Sequence, residues 1–172
     1  MEIIAKTWNV GGGHVLLPGA NPAELASFTD EGLDSFVETL KSEPADIVAL
    51  QEVHSNDTFN QAKEIAAQLG YSFVDCVLSP SHVGTGYNAG LALLTPHKII
   101  DPRHGLFTNP EIETKWEWGE VQKSHNKGYL SCLIDIGGKL VEVTTFHLFP
   151  FRRLGLGVEL TSPEAQAVLR DI

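Results

Sequence analysis

Three polar residues, Asn9, Glu52 and His147, each follow an apolar run that predicts a β-strand. The clearest run is Ile47 to Leu50, whose β-branched residues suit a strand that is covered on both faces. Ligands of open α/β sheets bind at the carboxyl ends of strands, and we expect Glu52 there, at or just past the end of its strand. An ionised carboxylate beside an apolar core needs a partner, which could be an arginine, a lysine or a metal ion.

Each of these three residues, taken alone, is more often structural than catalytic. A glutamate at the start of a loop is commonly solvated, and a histidine near a core is commonly just hydrogen-bonded. A sheet can, however, bring the ends of separate strands to one edge. The combination of all three therefore favours a functional site.

The composition is typical of one globular domain, with 172 residues of which 42% are hydrophobic and 20% charged. The formal net charge of -10 disfavours a non-specific electrostatic grip on nucleic acid, and leaves open binding through a metal ion or a local basic patch. Cys76 and Cys132 lack metal-type spacing and are interpreted as reduced core thiols, which favours a cytoplasmic location. We see no signal peptide and no apolar run of the ~18 residues that a membrane span needs.

The first half of the chain is predicted to alternate strand, helix, strand, helix, strand, the order of a layered α/β domain. The first helix should begin at Thr29 or Asp30, and the second near Ser55 or Asn56 with its end at Gly70. The predicted strands of this half are 3–10, 47–50 and 71–78.

The second half is predicted to be rich in strands. A hairpin should form around Gly137-Gly138, and a last helix should begin at Ser162-Pro163. A long polar loop, 106–126, is predicted before the hairpin. Its Trp116 and Trp118 could either contact a ligand or pack in the core. The predicted strands here are 89–95, 98–100, 129–136 and 140–145.

Four segments in this order resemble the endonuclease/exonuclease/phosphatase family: Thr7-Trp8-Asn9-Val10, Leu50-Gln51-Glu52-Val53, Gly90 to Thr95, and Thr144 to Leu148. Lys127-Gly128-Tyr129-Leu130 is a less specific match. The resemblance implies an α/β fold, a two-sheet α/β sandwich of the DNase I-like type, and hydrolysis of phosphate esters with a divalent cation. That cation would be Mg²⁺, with Mn²⁺ as an alternative.

The resemblance also implies roles for individual residues. Asn9, Glu52 and His147 would be catalytic, with Glu52 and Asn9 also holding the metal. Lys127 and Tyr129 would contact the substrate, although a solvated lysine and a packed tyrosine are the plainer interpretations. Mg²⁺ prefers oxygen ligands and keeps several waters, so one or two such side chains suffice. Zinc is not indicated, because the sequence shows no histidine and cysteine cluster.

The family pattern continues with a strand ending in Gly-Asp-Phe-Asn and, later, an Asp-His pair, neither of which occurs in these 172 residues. We therefore expect residues 1–172 to be one truncated domain that lacks its C-terminal third, an N-terminal fragment of a phosphoesterase. A missing segment or a partner chain would complete it.

The alternative is a non-catalytic module that keeps the scaffold and binds a phosphate ligand or a partner chain. For the enzyme, the substrate could be a nucleic acid, a phosphoinositide, a phospholipid or a small phosphate ester. Arg152 and Arg153 could receive an extra phosphate, or could simply be solvated.

Overall fold

The computed structural model describes residues 2–13, 15–16, 28–29, 31–81, 86–109, 111–115, 121–149 and 162–171. Within these ranges the elements follow one another in the order β1 (Ala5–Asn9), a 3-10 turn (Gly11–Gly13), β2 (Val15–Leu16), β3 (Phe28–Thr29), α1 (Glu31–Ser42), β4 (Ile47–Ser55), α2 (Gln61–Leu69), β5 (Ser72–Pro80), β6 (Asn88–Thr95), β7 (Lys98–Leu106), β8 (Glu113–Lys115), β9 (Val121–Lys123), β10 (Gly128–Ile136), β11 (Lys139–His147) and α3 (Pro163–Leu169).

Two sheets form the predicted sandwich. The first has four strands in the order β1-β4-β6-β5, and the second has three in the order β11-β10-β7. The pairing of β1 with β4 is parallel, whereas the other pairings in these two sheets are antiparallel. Two short ribbons, β2 with β3 and β8 with β9, lie outside them. The α/β two-sheet architecture is therefore confirmed.

Side chains along β4 alternate between the two faces of the four-stranded sheet. Val48 and Leu50 are buried in a cluster with residues of α1 and α2, including Phe36 and Ile65. Ile47 faces the other way, into a cluster shared with the second sheet. The four-stranded sheet thus lies between a helical layer and the three-stranded sheet, with a core on each side. The second core also contains both cysteines and the largely aliphatic inner faces of β6 and β10: Cys76, Leu91, Leu93, Leu130, Cys132 and Ile134.

The second helix starts later than predicted. The strand before it continues to Ser55, and Asn56 accepts hydrogen bonds from the backbone N–H groups of Thr58 and Phe59 in a turn. The cap is Asn60, whose side chain accepts from the Lys63 N–H at 2.9 Å. The helix ends at Gly70 as predicted, in a left-handed conformation with φ of 69°.

The loop predicted over 106–126 is shorter and more structured than expected. Residues up to Leu106 extend β7, because they pair with the first half of β10, and the ribbon of β8 and β9 occupies part of the remainder. The hairpin at Gly137-Gly138 is confirmed, with both glycines at positive φ.

α3 begins at Pro163, as predicted. Trp116, Trp118, Arg152 and Arg153 lie outside the described residues. Among the helices that the structure describes, none has the length and apolar character needed to cross a membrane.

Candidate active site

Glu52 lies inside β4 rather than at its end, contrary to the prediction. The pairing of β4 with β6 matches Gln51 to Leu91 and Val53 to Gly90, so the register skips Glu52, which is an extra residue of β4. Its φ of 58° is in the left-handed region, which non-glycine residues rarely adopt. Glu52 is therefore the extra residue of a β-bulge, a feature that re-aims side chains beside functional sites.

The bulge moves the side chains that follow it to the opposite face of the sheet from the one that regular alternation would give. Without it, alternation from Leu50 would turn Glu52 towards the helices and Val53 towards the second sheet. Instead Val53 is buried with Leu50 in the core beside α1 and α2. Glu52 faces the second sheet, where its Oε1 lies 3.4 Å from Nε2 of His147.

His147 is the last residue of β11, and Lys127 directly precedes β10. The two strands pair with Gly128 opposite His147, which places Lys127 beside the imidazole. The Lys127 Nζ lies 3.2 Å from both ring nitrogens of His147. Equal distances to both nitrogens put the ammonium off the lone-pair axis of either, so this contact is electrostatic rather than an aligned hydrogen bond.

The charges of this group are partly shielded from water. The side chains of Glu52 and His147 are each 20% exposed. Burial lowers the pKa of Lys127 below its ordinary value, and the negative charge of Glu52 opposes that shift. A carboxylate, an ammonium and an imidazole thus share a site where electrostatic interactions are stronger than in water.

A cavity of about 10 Å³, enough for one water molecule or ion, lies among these side chains. His125 and Asn126 also line it, and both were missed in the sequence. The signal that could have found them is their position immediately before Lys127. Asn126 is held in place, because its Oδ1 accepts from Nδ2 of Asn109 at 3.0 Å.

Asn109 supports this segment through a second residue as well. Its Oδ1 accepts from the Ser124 hydroxyl at 2.8 Å, and Ser124 exchanges hydrogen bonds with the backbone of Ile112. This network joins the base of the β8–β9 ribbon to the segment that leads into Lys127.

Asn9 is brought near the group but does not line the same cavity. Its strand pairs with β4 so that Asn9 is opposite Gln51, one residue before Glu52. Alternation from Lys6 and Trp8, which contact Glu43 and Phe36, would turn Asn9 towards the second sheet, yet Asn9 borders a cavity of about 240 Å³ beside α1. Its Oδ1 accepts the Gly11 N–H at 3.0 Å, which fixes the amide against the glycine turn.

Tyr129 lies apart from this group. Its ring contacts Phe107, with centroids 6.1 Å apart, and borders a cavity of about 400 Å³ together with Phe146. His54, the neighbour of Glu52 in sequence, is buried, with Nε2 2.8 Å from the Ser81 hydroxyl. The structure therefore assembles Glu52, His147 and Lys127, places Asn9 next to them, and puts Tyr129 and His54 elsewhere.

The family model for the endonuclease/exonuclease/phosphatase family matches residues 7–151 of the sequence. The chain belongs to this family. Glu52, Lys127 and His147 all lie within the matched region. Comparison with curated proteins finds no match.

Solved structures of the endonuclease/exonuclease/phosphatase family share the fold. A family protein from Leptotrichia buccalis C-1013-b is 19% identical, with a TM-score of 0.55 over 86% of this chain and 55% of its own. A second, from Beutenbergia cavernae DSM 12333, is 17% identical, with a TM-score of 0.57 over 98% of this chain and 41% of its own. The human nocturnin catalytic domain with bound sulfate anion is 18% identical, with a TM-score of 0.52 over 78% of this chain and 50% of its own. The chain spans about half the length of these structures.

The donors at this site are of the kind that a hard cation prefers. Glu52 supplies carboxylate oxygens, and Asn9 supplies an amide oxygen on the neighbouring strand. Within the described ranges no three histidine, cysteine, aspartate or glutamate residues cluster as a metal site. A cation that keeps most of its waters needs fewer protein ligands, and the oxygen donors of Glu52 and Asn9 are of the kind it takes.

Proposed function

We propose that this chain carries the metal- and phosphate-binding part of a divalent-metal-dependent phosphoesterase. The observation that supports the proposal most directly is the bulge that turns Glu52 towards His147 and Lys127. A carboxylate for a cation, an ammonium for a phosphate and an imidazole between them are groups that can bind and polarise a phosphate ester. Membership of the endonuclease/exonuclease/phosphatase family agrees with that reaction class.

Glu52, with Asn9 beside it, would hold Mg²⁺, or Mn²⁺ as the alternative. Once bound, such an ion polarises a phosphoryl oxygen and stabilises the charge on the leaving oxygen. Asn9 suits a position next to the ion, because a neutral amide offers an acceptor without adding charge. Its contact with the Gly11 N–H keeps the amide in one orientation.

The remaining groups would act on the phosphate itself. The ammonium of Lys127 is partly buried, so its attraction for a phosphate oxygen is weakly screened by water. His147 would donate to a second phosphate oxygen, while the Glu52 carboxylate at 3.4 Å favours the orientation of the ring. Donors that are fixed before the reaction begins lower its barrier without reorganisation.

The substrate class proposed is a phosphate ester, with nucleic acids, phosphoinositides, phospholipids and small esters all compatible. The chain's net charge of -10 supports a substrate bound through the metal rather than by a broad basic surface. The reduced, buried cysteines Cys76 and Cys132 support a cytoplasmic location.

Hydrolysis of bis(p-nitrophenyl) phosphate tests the proposal, with and without Mg²⁺ or Mn²⁺. We would assay both the 172-residue chain and the complete product of its gene. Glu52→Gln keeps the shape of the side chain and removes its charge, and should lower the rate by about 10²-fold or more. Glu64→Gln, at an exposed position on α2, is the matched control and should retain the wild-type rate.

A second readout does not depend on turnover. Mg²⁺ that binds only the folded protein raises its melting temperature, and this rise should be absent in Glu52→Gln and present in Glu64→Gln. Absence of both hydrolysis and the thermal shift in every form tested would contradict the proposal and favour the non-catalytic binding module.

A further inference from the structure

The side chain of Gln51 links the two sheets. Its Nε2 lies 2.9 Å from the hydroxyl of Thr145 on β11 and 3.1 Å from the hydroxyl of Thr7 on β1. A carboxamide nitrogen carries two hydrogens, so Gln51 can donate to both hydroxyls at once. Thr7 and Gln51 belong to the four-stranded sheet and Thr145 to the other, so this amide ties one sheet to the other.

The linked residues stand next to the residues of the site. Gln51 directly precedes Glu52, and Thr145 lies two residues before His147. Side chains two residues apart on a strand share a face, so Thr145 and His147 both point at the four-stranded sheet. The amide therefore bridges β4 and β11 within two residues of both Glu52 and His147.

We propose that Gln51 is a positioning residue for the reaction, and that it holds β4 and β11 at the spacing that brings Glu52 to His147. The inference rests on the proposed phosphoesterase function. Sheets that pack face to face lie about 10 Å apart, and a glutamine is long enough to reach a threonine hydroxyl across that gap. Thr145 is only 4% exposed, so water competes little for this hydrogen bond.

The bulge explains why such a tie is needed at this position. Gln51 is the last residue of β4 that keeps the regular register before Glu52 interrupts it. Glu52 has a disfavoured positive φ and is skipped by the register with β6. A strained residue keeps one conformation only where its surroundings hold it. The side-chain hydrogen bonds of Gln51 supply that restraint directly before Glu52 in the chain.

Three threonine variants separate positioning from a general effect on stability. Thr145→Val removes the hydroxyl and keeps the branched shape, whereas Thr145→Ser keeps the hydroxyl. Thr144→Val is the control: the Thr144 hydroxyl donates to Ser131 Oγ at 3.0 Å, from the exposed side of the same strand. Gln51→Met, alone and combined with Thr145→Val, removes the other partner.

For hydrolysis of bis(p-nitrophenyl) phosphate by the complete gene product, Thr145→Val should lower kcat by about ten- to a hundred-fold. KM should change by about twofold at most, because the phosphate-binding side chains remain. Thr145→Ser should recover most of the rate, and Thr144→Val should leave it unchanged. Gln51→Met combined with Thr145→Val should be no slower than Gln51→Met alone, since Gln51→Met already removes the hydrogen bond to Thr145.

Equal rates for Thr145→Val and Thr144→Val would overturn the inference, as would failure of Thr145→Ser to recover activity. Crystal structures of Thr145→Val and Thr144→Val give a readout without turnover. The separation of Glu52 Oε1 from His147 Nε2, 3.4 Å in the wild type, should increase only in Thr145→Val. A wild type that hydrolyses nothing would defeat the proposed function, while these structures would still decide whether the amide sets the spacing.

Discussion

Glu52 and Val53 are consecutive in β4, yet Val53 is buried beside the helices while Glu52 meets His147 on the second sheet. The positive φ of Glu52 produces this arrangement, and it carries a conformational cost of roughly 1–2 kcal/mol for a residue with a Cβ. The proposed function of Glu52 thus coincides with local backbone strain.

Replacing Glu52 by glycine or by alanine measures that strain directly. Both variants lose the carboxylate, but only alanine keeps the steric conflict at positive φ. We expect Glu52→Gly to have a free energy of unfolding about 1 kcal/mol higher than Glu52→Ala, measured by urea denaturation. At Glu142, which is not among the residues with positive φ, the order should reverse and alanine should be favoured. If the glycine variant were the more stable one at both positions, backbone strain at Glu52 would be excluded as the cause.

Lys127 should contribute to binding at the expense of stability. Burial lowers its pKa, which means that the folded protein disfavours the ammonium relative to water. Lys127→Met should raise KM for a phosphate ester by about ten-fold, since a charge-assisted contact contributes roughly 1.5–3 kcal/mol. It should also raise the melting temperature slightly.

The control for Lys127 is Lys123→Met, on β9. The Lys123 side chain is 70% exposed, and its Nζ lies 3.8 Å from Glu113. Enzyme kinetics and thermal melts of this variant should match the wild type. Equal KM values for the two methionine variants would argue against a phosphate contact by Lys127.

Asp46 makes stability depend on pH at the far end of β4. The Ile4 N–H donates to its Oδ2 at 2.9 Å, and His97 Nε2 lies 3.2 Å from its Oδ1. The hydrogen bond from Ile4, followed by the contact with His97, lowers the pKa of Asp46 below its ordinary 3.8. A lowered folded-state pKa gives stability that is present above 3.8 and is lost as the pH falls through the folded value.

Denaturation of the wild type and Asp46→Asn over a series of pH values tests this. The wild type should be more stable than Asp46→Asn at pH 6, and the difference should disappear as the pH falls below 3.8 towards full protonation of Asp46. A difference that stays constant from pH 6 to strongly acidic solution would exclude Asp46 as the source.

The two cysteines should be inert in the folded protein. Burial raises the pKa of Cys76 to about 11 and also raises that of Cys132. Because the thiolate is the reactive form, only about one Cys76 thiol in a thousand would be ionised at pH 8. Ellman's reagent should label neither cysteine in native protein at pH 8 and both in urea. Rapid labelling without denaturant would show that the second core is open to the reagent.

The sequence predicted much of the fold because its strongest signals are local. The apolar run Ile47 to Leu50 and the glycine pair of the hairpin each specify their own structure within a few residues. The start of α2 was wrong, because β4 extends to Ser55 by pairing with β6, a tertiary contact that overrides local preference. The same reason explains the unexpected length of β7, whose second half pairs with β10.

The candidate site was predicted in part. Glu52 and His147 were expected to converge, and the structure brings them together at 3.4 Å. The bulge could not be predicted, since it depends on the register between β4 and β6 rather than on Glu52 and its neighbours in sequence. The tie from Gln51 to Thr145 joins residues 94 positions apart, and no local pattern predicts such a partner.

The register of β4 has one more consequence. Leu91 and Gly90 are adjacent on β6, and their partners Gln51 and Val53 would pair without interruption if Glu52 were deleted. Alternation would then place Gln51 and Val53 on the faces that they already occupy. The pairing of β4 with β6 therefore does not need the proposed catalytic residue. Deletion of Glu52 should abolish activity while the protein still folds.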